Sequence, residues 1–276
     1  MQLHLLEELR SRLKDLGLDK HEAQLLTHAR LAFNLLLDGK STGELGESRW
    51  GGAPDVPADF QWPHDHKYPL TFLAQINLAD LIADDENPFP ATGLLQFFVD
   101  FESNVNHVFL IDAATPIQAT VAPEDLGSSW GDMPAHRLKL QPRADLPQWA
   151  TSDYIQLTSD LSDKEQDAYG QLSLTEVYAP TPERQTLAGQ LLGHVAGIGY
   201  DPREDAVAQY ELESGDRFDD ENPNHEAAAR RWKNLLRFDS ALDLCIGDAG
   251  YFNFLINEND LKKLDFSRLN CGLQSS

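Results

Sequence analysis

Cysteine, long apolar runs and positive charge are all scarce in this chain of 276 residues. Its two cysteines, Cys245 and Cys271, are too few for a disulfide framework, and no Cys-x-x-Cys pair or repeated Cys/His spacing marks a zinc site. The longest apolar stretches, such as Val108-Phe109-Leu110-Ile111, fall far short of the ~20 residues that span a bilayer. Glu7 and Glu8 stand where a secretory leader has a basic start, so a cytoplasmic protein is expected. Lys and Arg number 22 against 45 Asp and Glu, a net charge of −23. Such a surface repels phosphate backbones and anionic leaflets, which argues against nucleic acid and membrane partners and favours basic proteins or cations. What is present is a core: 41% hydrophobic residues, with 13 Phe, 7 Tyr and 5 Trp, is too apolar for disorder.

The charge is uneven. Residues 1–40 hold six acids and six bases, so the whole negative excess belongs to 41–276. The neutral segment predicts an amphipathic helical hairpin. Leu6, Leu9, Leu13 and Leu16 recur at helical steps until Gly17, and a second helix opens at Asp19 with Glu22 three later. Its apolar face would be Leu25, Leu26, Ala29, Phe33, Leu36 and Leu37, ended by Gly39.

Beyond Gly39 the texture becomes proline, glycine and short apolar runs. Residues 69–77, 93–100 and 106–111 read as strands. Ser162 with Glu165 forms a capping box for a short helix. Thr181-Pro182 ahead of Leu187, Leu191 and Leu192, and Asn222-Pro223 ahead of residues 227–232, predict two more helices. Strands mixed with capped helices, in no regular βαβ order, give an α+β class with a sheet-rich body.

Within that body the chain resembles itself. Leu73-Ala74-Gln75-Ile76-Asn77 followed by Gly93 to Asp100 parallels Leu235-Leu236-Arg237-Phe238-Asp239 followed by Gly250 to Asn257. Each pair is a strand ending in Asn or Asp and then a glycine-led strand with an amide at its fourth place, Gln96 or Asn253. Glycine elements precede both, Gly51-Gly52 and Gly193-His194. Two related half-sheets would meet in a groove, with Gln75 and Arg237 as its matched polar residues.

The same residues carry a family resemblance. Trp50-Gly51-Gly52-Ala53-Pro54, Trp62-Pro63, Pro69 to Leu78, Gly93 to Phe98, Leu191-Leu192-Gly193-His194, Gly247-Asp248-Ala249-Gly250 and Asp265-Phe266-Ser267 resemble the YwqG-like family of bacterial proteins of unknown function. The resemblance covers most of 48–276 and implies a β-rich, roll-like fold without an established activity. Two places depart from it: Ile198-Gly199 and Leu236-Arg237 stand where the family tends to have Ile-Gln and Leu-Gln.

Chemistry is sparse. His64-Asp65-His66 is the most metal-like string, but a third ligand must come from elsewhere. Gly127-Ser128-Ser129-Trp130-Gly131 misses the nucleophile-elbow spacing. Cys245 lies in an apolar run, where a buried inert thiol is expected, and Cys271 near the end of the chain is expected exposed. Gly247-Asp248-Ala249-Gly250 reads as a tight turn in which Gly250 takes the unusual φ. The expectation is therefore an α+β, roll-like, internally duplicated body with an N-terminal helical hairpin. Residues 1–40 form the hairpin, and 41–276 form one domain of two halves, about 48–150 and 151–276. Its leading function is a non-catalytic module binding a basic protein through an acidic surface or the groove. The alternative is a small-ligand or metal-dependent enzyme using that groove. The candidate binding residues are Trp50, Gly52, Trp62, Gln75, Arg237, Asp239 and Asp248, with His64 and His66 as weak metal ligands; no cofactor is expected.

Overall fold

The structure is a computed structural model that describes residues 1–126, 133–178 and 186–275, with 173–178 by main chain alone. The glycine-serine loop 127–131 and the Thr181-Pro182 cap lie outside the described residues. Helix α1 (Leu3–Asp15) is amphipathic and buries Leu5, Leu9 and Leu13. Helix α2 (Glu22–Thr27) is only six residues long. The expected second hairpin helix is thus corrected: residues 30–40 form strand β1 (Arg30–Lys40). Strand β1 pairs with β8 and β9 along its two edges, and successive residues, which point to opposite faces of the sheet, are buried alike. The run Leu31 to Leu37 therefore shows no alternation and imitates helical spacing.

The chain continues through β2 (Arg49–Trp50), β3 (Asp55–Val56), β4 (Thr71–Asn77), β5 (Leu94–Val99), β6 (Asn106–Ile111) and β7 (Gln118–Ala119). Then follow β8 (His136–Asp145), α3 (Ser152–Thr158), α4 (Asp163–Tyr178) and β9 (Leu187–Leu192). The last part holds α5 (Arg203–Tyr210), α6 (Pro223–Ala229), β10 (Trp232–Asp239), β11 (Tyr251–Asn257), α7 (Glu258–Leu261) and β12 (Leu269–Gln274). Leu187, Leu191 and Leu192 belong to strand β9, not to the helix expected there. The other local signals act as read. Ser162 and Glu165 exchange bonds at the start of α4, Glu165 Oε2 accepting from Ser162 N at 2.9 Å, and Asn222 caps α6 by accepting from Asn224 N at 3.0 Å.

Ten strands form one antiparallel sheet in the order β12-β11-β10-β9-β1-β8-β2-β4-β5-β6, and β3 and β7 pair separately. The sheet curls until its distant strands touch. Trp50 of β2 stacks on Phe238 of β10 with centroids 5.9 Å apart, Phe97 of β5 meets Phe254 of β11 at 5.5 Å, and Phe101 meets Phe252 at 5.1 Å. One continuous hydrophobic core fills this roll, closed on one side by α1. Outside it, Val207 of α5 and Ala229 of α6 cover Leu255 and Trp232, while Phe60 and Trp62 cover Phe98. The body is α+β and roll-like, and no described helix is long and apolar enough to cross a membrane.

Candidate functional site

The residues expected to share a groove are not gathered in one place. Trp50 is core, stacked on Phe238, and Gly52 serves the backbone: its φ is +72°, and a Cβ there would lie 2.6 Å from that of Ala135. Trp62 packs edge-on against Phe98 and donates Nε1 to Leu70 O at 2.9 Å. Gln75 is fully buried on β4. Its Nε2 donates to Asp55 Oδ2 at 2.9 Å, and its Oε1 accepts from Asp55 N at 2.9 Å and from Gln96 Nε2 at 2.8 Å. Arg49 makes an ion pair with the same Asp55, so this is a buried polar clamp holding the 51–62 segment against the sheet. Arg237 is spent on Asp239 in a bidentate pair of 2.7 and 3.0 Å. Asp248 is an exposed turn residue whose N–H donates to Ser275 Oγ. His64 and His66 are exposed, His64 Nδ1 lying 2.6 Å from Trp62 O. Among the described residues no three His, Cys, Asp or Glu side chains gather round a common point.

Three further expectations are corrected. Cys245 is exposed and Cys271 buried, the reverse of what chain position implied: Cys271 sits on β12 under the roll, whereas Cys245 follows a turn at Ala241–Leu244. In the 247–250 turn the positive φ falls on Gly247 and Ala249. Gly250 is required for a different reason, since a Cβ there would meet Gln274 O at 2.0 Å.

A cavity of about 470 Å³ opens elsewhere, where the start of β1, the loop after β9 and the start of β10 converge with α7. Its lining holds Arg30, Arg203, Arg230, Lys233 and Lys262, together with His28 and His194, against Glu86, Asp153 and Glu258. That is five permanent cations to three carboxylates in a chain whose net charge is −23. Its apolar walls include Leu31, Leu192, Trp232 and Leu261.

The carboxylates do not neutralise these cations evenly. Arg203 is clamped by Asp201 through Nε at 2.9 Å and Nη2 at 2.6 Å, and by Asp153 through Nη1 at 2.6 Å. Burial raises the Asp153 pKa, but Arg203 outweighs it and holds the carboxyl below its ordinary range. Arg230 donates to Gln156 Oε1 at 2.9 Å and stays 3.8 Å from Asp153. Lys233 donates to Arg230 O and faces Glu258 at 4.0 Å. Burial lowers its pKa, with Arg203 and Arg30 adding to the effect. Arg30 bonds only main-chain carbonyls, Ala29 O at 2.8 Å and Thr27 O at 3.4 Å, and Lys262 has no side-chain partner among the described residues. Two cations therefore face the cavity without a carboxylate of their own.

The loop behind the cavity is fixed from below. Asp145, fully buried at the end of β8, accepts from Arg143 at 2.5 Å, Gln148 at 2.9 Å, Gln190 at 3.1 Å and the N–H of His194 at 2.7 Å. Burial alone would push Asp145 up; Arg143 and His194 hold it below the carboxylate range instead. Gly193 lies so close that a Cβ would sit 2.7 Å from Asp145 Oδ2, and its φ of +76° also asks for glycine. His194 Nε2 donates to His28 O at 2.8 Å, which leaves Nδ1 as the acceptor in the neutral ring. Burial lowers its pKa and so favours that form. Asn234, also of the lining, is 1% exposed. Its Nδ2 donates to Leu192 O at 2.7 Å, which fixes the amide's orientation and leaves Oδ1 without a partner.

None of the sequence candidates lines this cavity. One signal did point to it: the chain has two adjacent basic pairs, Arg230-Arg231 and Lys262-Lys263, and one member of each is in the lining. The family model described as "Domain of unknown function (DUF1963)" matches residues 48–275, so the chain belongs to that family. No curated protein matches the sequence.

Proposed function

We propose, for this member of a family without an assigned activity, that the chain binds a small anionic ligand in the 470 Å³ cavity between β1, β9, β10 and α7. The observation that carries this reading is the pair Arg30 and Lys262, cations without carboxylates in the wall of a cavity within an acidic protein. Holding like charges together costs energy, and an anion between them recovers it. The volume and the mix of apolar wall and convergent polar groups suit a metabolite-sized ligand. Thermal unfolding with a panel of small anions tests it. A ligand at a hundred times its Kd adds about 2.7 kcal/mol, a rise of roughly 5–10 °C for a chain of this size. A panel that leaves the midpoint unmoved, or a shift that survives Arg30→Gln with Lys262→Gln, overturns the reading.

The basic protein partner is a second proposal with its own support. Arg49, Arg143, Arg203 and Arg237 are paired with buried or half-buried aspartates, which withdraws equal numbers of both signs and leaves the whole excess of −23 on the rest of the chain. Such a complex would form fast and weaken with salt; binding that ignored salt would count against it.

The internal duplication is likewise a reading. It is supported by the strand order, in which β8-β2-β4-β5-β6 on one side mirrors β1-β9-β10-β11-β12 on the other. It is supported too by the register: Arg49, Gln75 and Gln96 stand side by side across β2, β4 and β5 as Gln190, Arg237 and Asn253 do across β9, β10 and β11. Overlap of the ordered motifs with the matched region 48–275 supports the YwqG-like resemblance, and two unpaired cysteines accord with a cytoplasmic setting.

A further inference from the structure

The cavity's charge and shape narrow its ligand beyond "a small anion". Resting on the reading above, we infer that the ligand is a phosphate monoester of a hydroxyl-bearing organic body, in the class of sugar phosphates and nucleoside monophosphates. Three features of the cavity converge on this class.

The first is charge matching. Arg203, Arg230 and Lys233 already face Asp201, Asp153 and Glu258, the lining's Glu86 lies 3.5 Å from the Met1 ammonium, and Arg30 and Lys262 remain without a carboxylate partner of their own. Two positive charges match a group that carries close to two negative ones at neutral pH, as a phosphate monoester does and a single carboxylate does not. The guanidinium of Arg30 supplies forked donors, and the Lys262 ammonium a mobile point charge, the two recurring partners of phosphate oxygens.

The second is size. A phosphate group alone would occupy a small part of about 470 Å³, and the walls formed by Leu31, Leu192, Trp232 and Leu261 offer apolar surface that an inorganic ion cannot use. An organic body is needed to fill the space.

The third is the set of acceptors in the lining. Asn234 Oδ1 is a buried acceptor without a donor, its orientation set by the carbonyl that Nδ2 serves. His194 contributes a second acceptor through Nδ1. Asn234 Oδ1 is closed to solvent, so it is the His194 nitrogen to which a hydroxyl or amine on the organic body donates. Cations and a ring acceptor in one lining call for a ligand with an anionic head and a donor-bearing body.

The test is isothermal titration of the full chain at constant pH and salt with five probes. They are adenosine 5′-monophosphate, its methyl phosphodiester, adenosine, inorganic phosphate and succinate. The monoester is expected to bind about tenfold or more tightly than the diester, which has one charge fewer, and than inorganic phosphate, which has no body. Arg30→Gln with Lys262→Gln is expected to remove about tenfold or more of the monoester affinity. Both residues are exposed, so the variant should fold with an unfolding midpoint no lower than the native one, and Lys263→Gln, outside the lining, should change nothing. Succinate or inorganic phosphate binding as tightly as the monoester, through Arg30 and Lys262, overturns the ligand class while the anion cavity stands. Failure of every anion to bind overturns both. Monoester binding indifferent to the double variant places the ligand elsewhere and overturns both as well.

Discussion

At the scale of single residues, stability and site meet in Asp145. Its carboxylate is wholly buried, paired with Arg143, and anchors the N–H of His194 in the cavity wall. Asp145→Asn removes the buried charge that Arg143, Gln190 and the His194 N–H share, and is expected to cost about 3 kcal/mol or more in urea unfolding. The pH dependence has a definite sign. Asp145 and Asp153 have folded pKa values below their ordinary value of about 3.9, and His194 lies below its ordinary value of about 6.5. In each case the unfolded chain binds more protons within the window beneath the ordinary value, so stability falls as pH drops through it. Urea midpoints should therefore decline first between pH 7 and 5 and then further below pH 4, and the lower decline should be shallower in Asp145→Asn. A midpoint constant from pH 7 to 3 would contradict this. The thiols give a second check. Cys245 is exposed, whereas burial pushes the Cys271 thiol far up, so the native chain should titrate one thiol with a disulfide reagent and the unfolded chain two.

At the scale of elements, strand β1 is the decisive piece. It pairs with β8 on one side and β9 on the other, although the family region begins only at residue 48. A chain starting at Ser41 would keep the whole matched region and yet lack an interior strand. The main-chain groups of β8 and β9 would lose their partners, and Phe33 and Leu35 would leave the core. Such a chain should lose its near-UV dichroism and its cooperative transition; native-like unfolding would show that β1 is dispensable. This strand also marks the limit of what the sequence discloses. β4, β5 and β6 were readable because Pro69, Gly93 and Asn106 punctuate them, and α6 because Asn222-Pro223 caps it. β1 and β9 were not, because interior strands buried on both faces lose the alternation that separates strand from helix. The cavity was hidden for another reason: Arg30 and Lys262 lie 232 positions apart and line one cavity only after the sheet has formed. Of the polar residues picked from strand patterns, Gln75 ties the 51–62 segment to the sheet through Asp55, and Arg237 pairs with Asp239 of its own strand.

At the scale of the whole molecule, two electrostatic fields of opposite sign act on an anionic ligand, and they differ in range. The net charge of −23 is spread over the chain and repels a dianion from far away. The cations of the cavity attract it over the few ångströms of a contact. Taking a mean distance of about 20 Å in water, the repulsion is near 5 kcal/mol when the Debye length is ~30 Å, at ~0.01 M salt. It falls below about 1 kcal/mol when that length is ~8 Å, at ~0.15 M. Contact-range attraction is barely screened over the same interval and weakens only as the Debye length approaches ~3 Å, near 1 M. Affinity for a phosphate monoester should therefore rise from low to physiological ionic strength and decline again toward molar salt. Folding stability should rise over the first interval too, as the same self-repulsion is screened. Titrations of adenosine 5′-monophosphate at ~10, 150 and 1,000 mM sodium chloride would reveal the maximum. A steady loss of affinity from the lowest salt upward would mean that the acidic exterior does not reach the ligand, and that the cavity's own cations set the field alone.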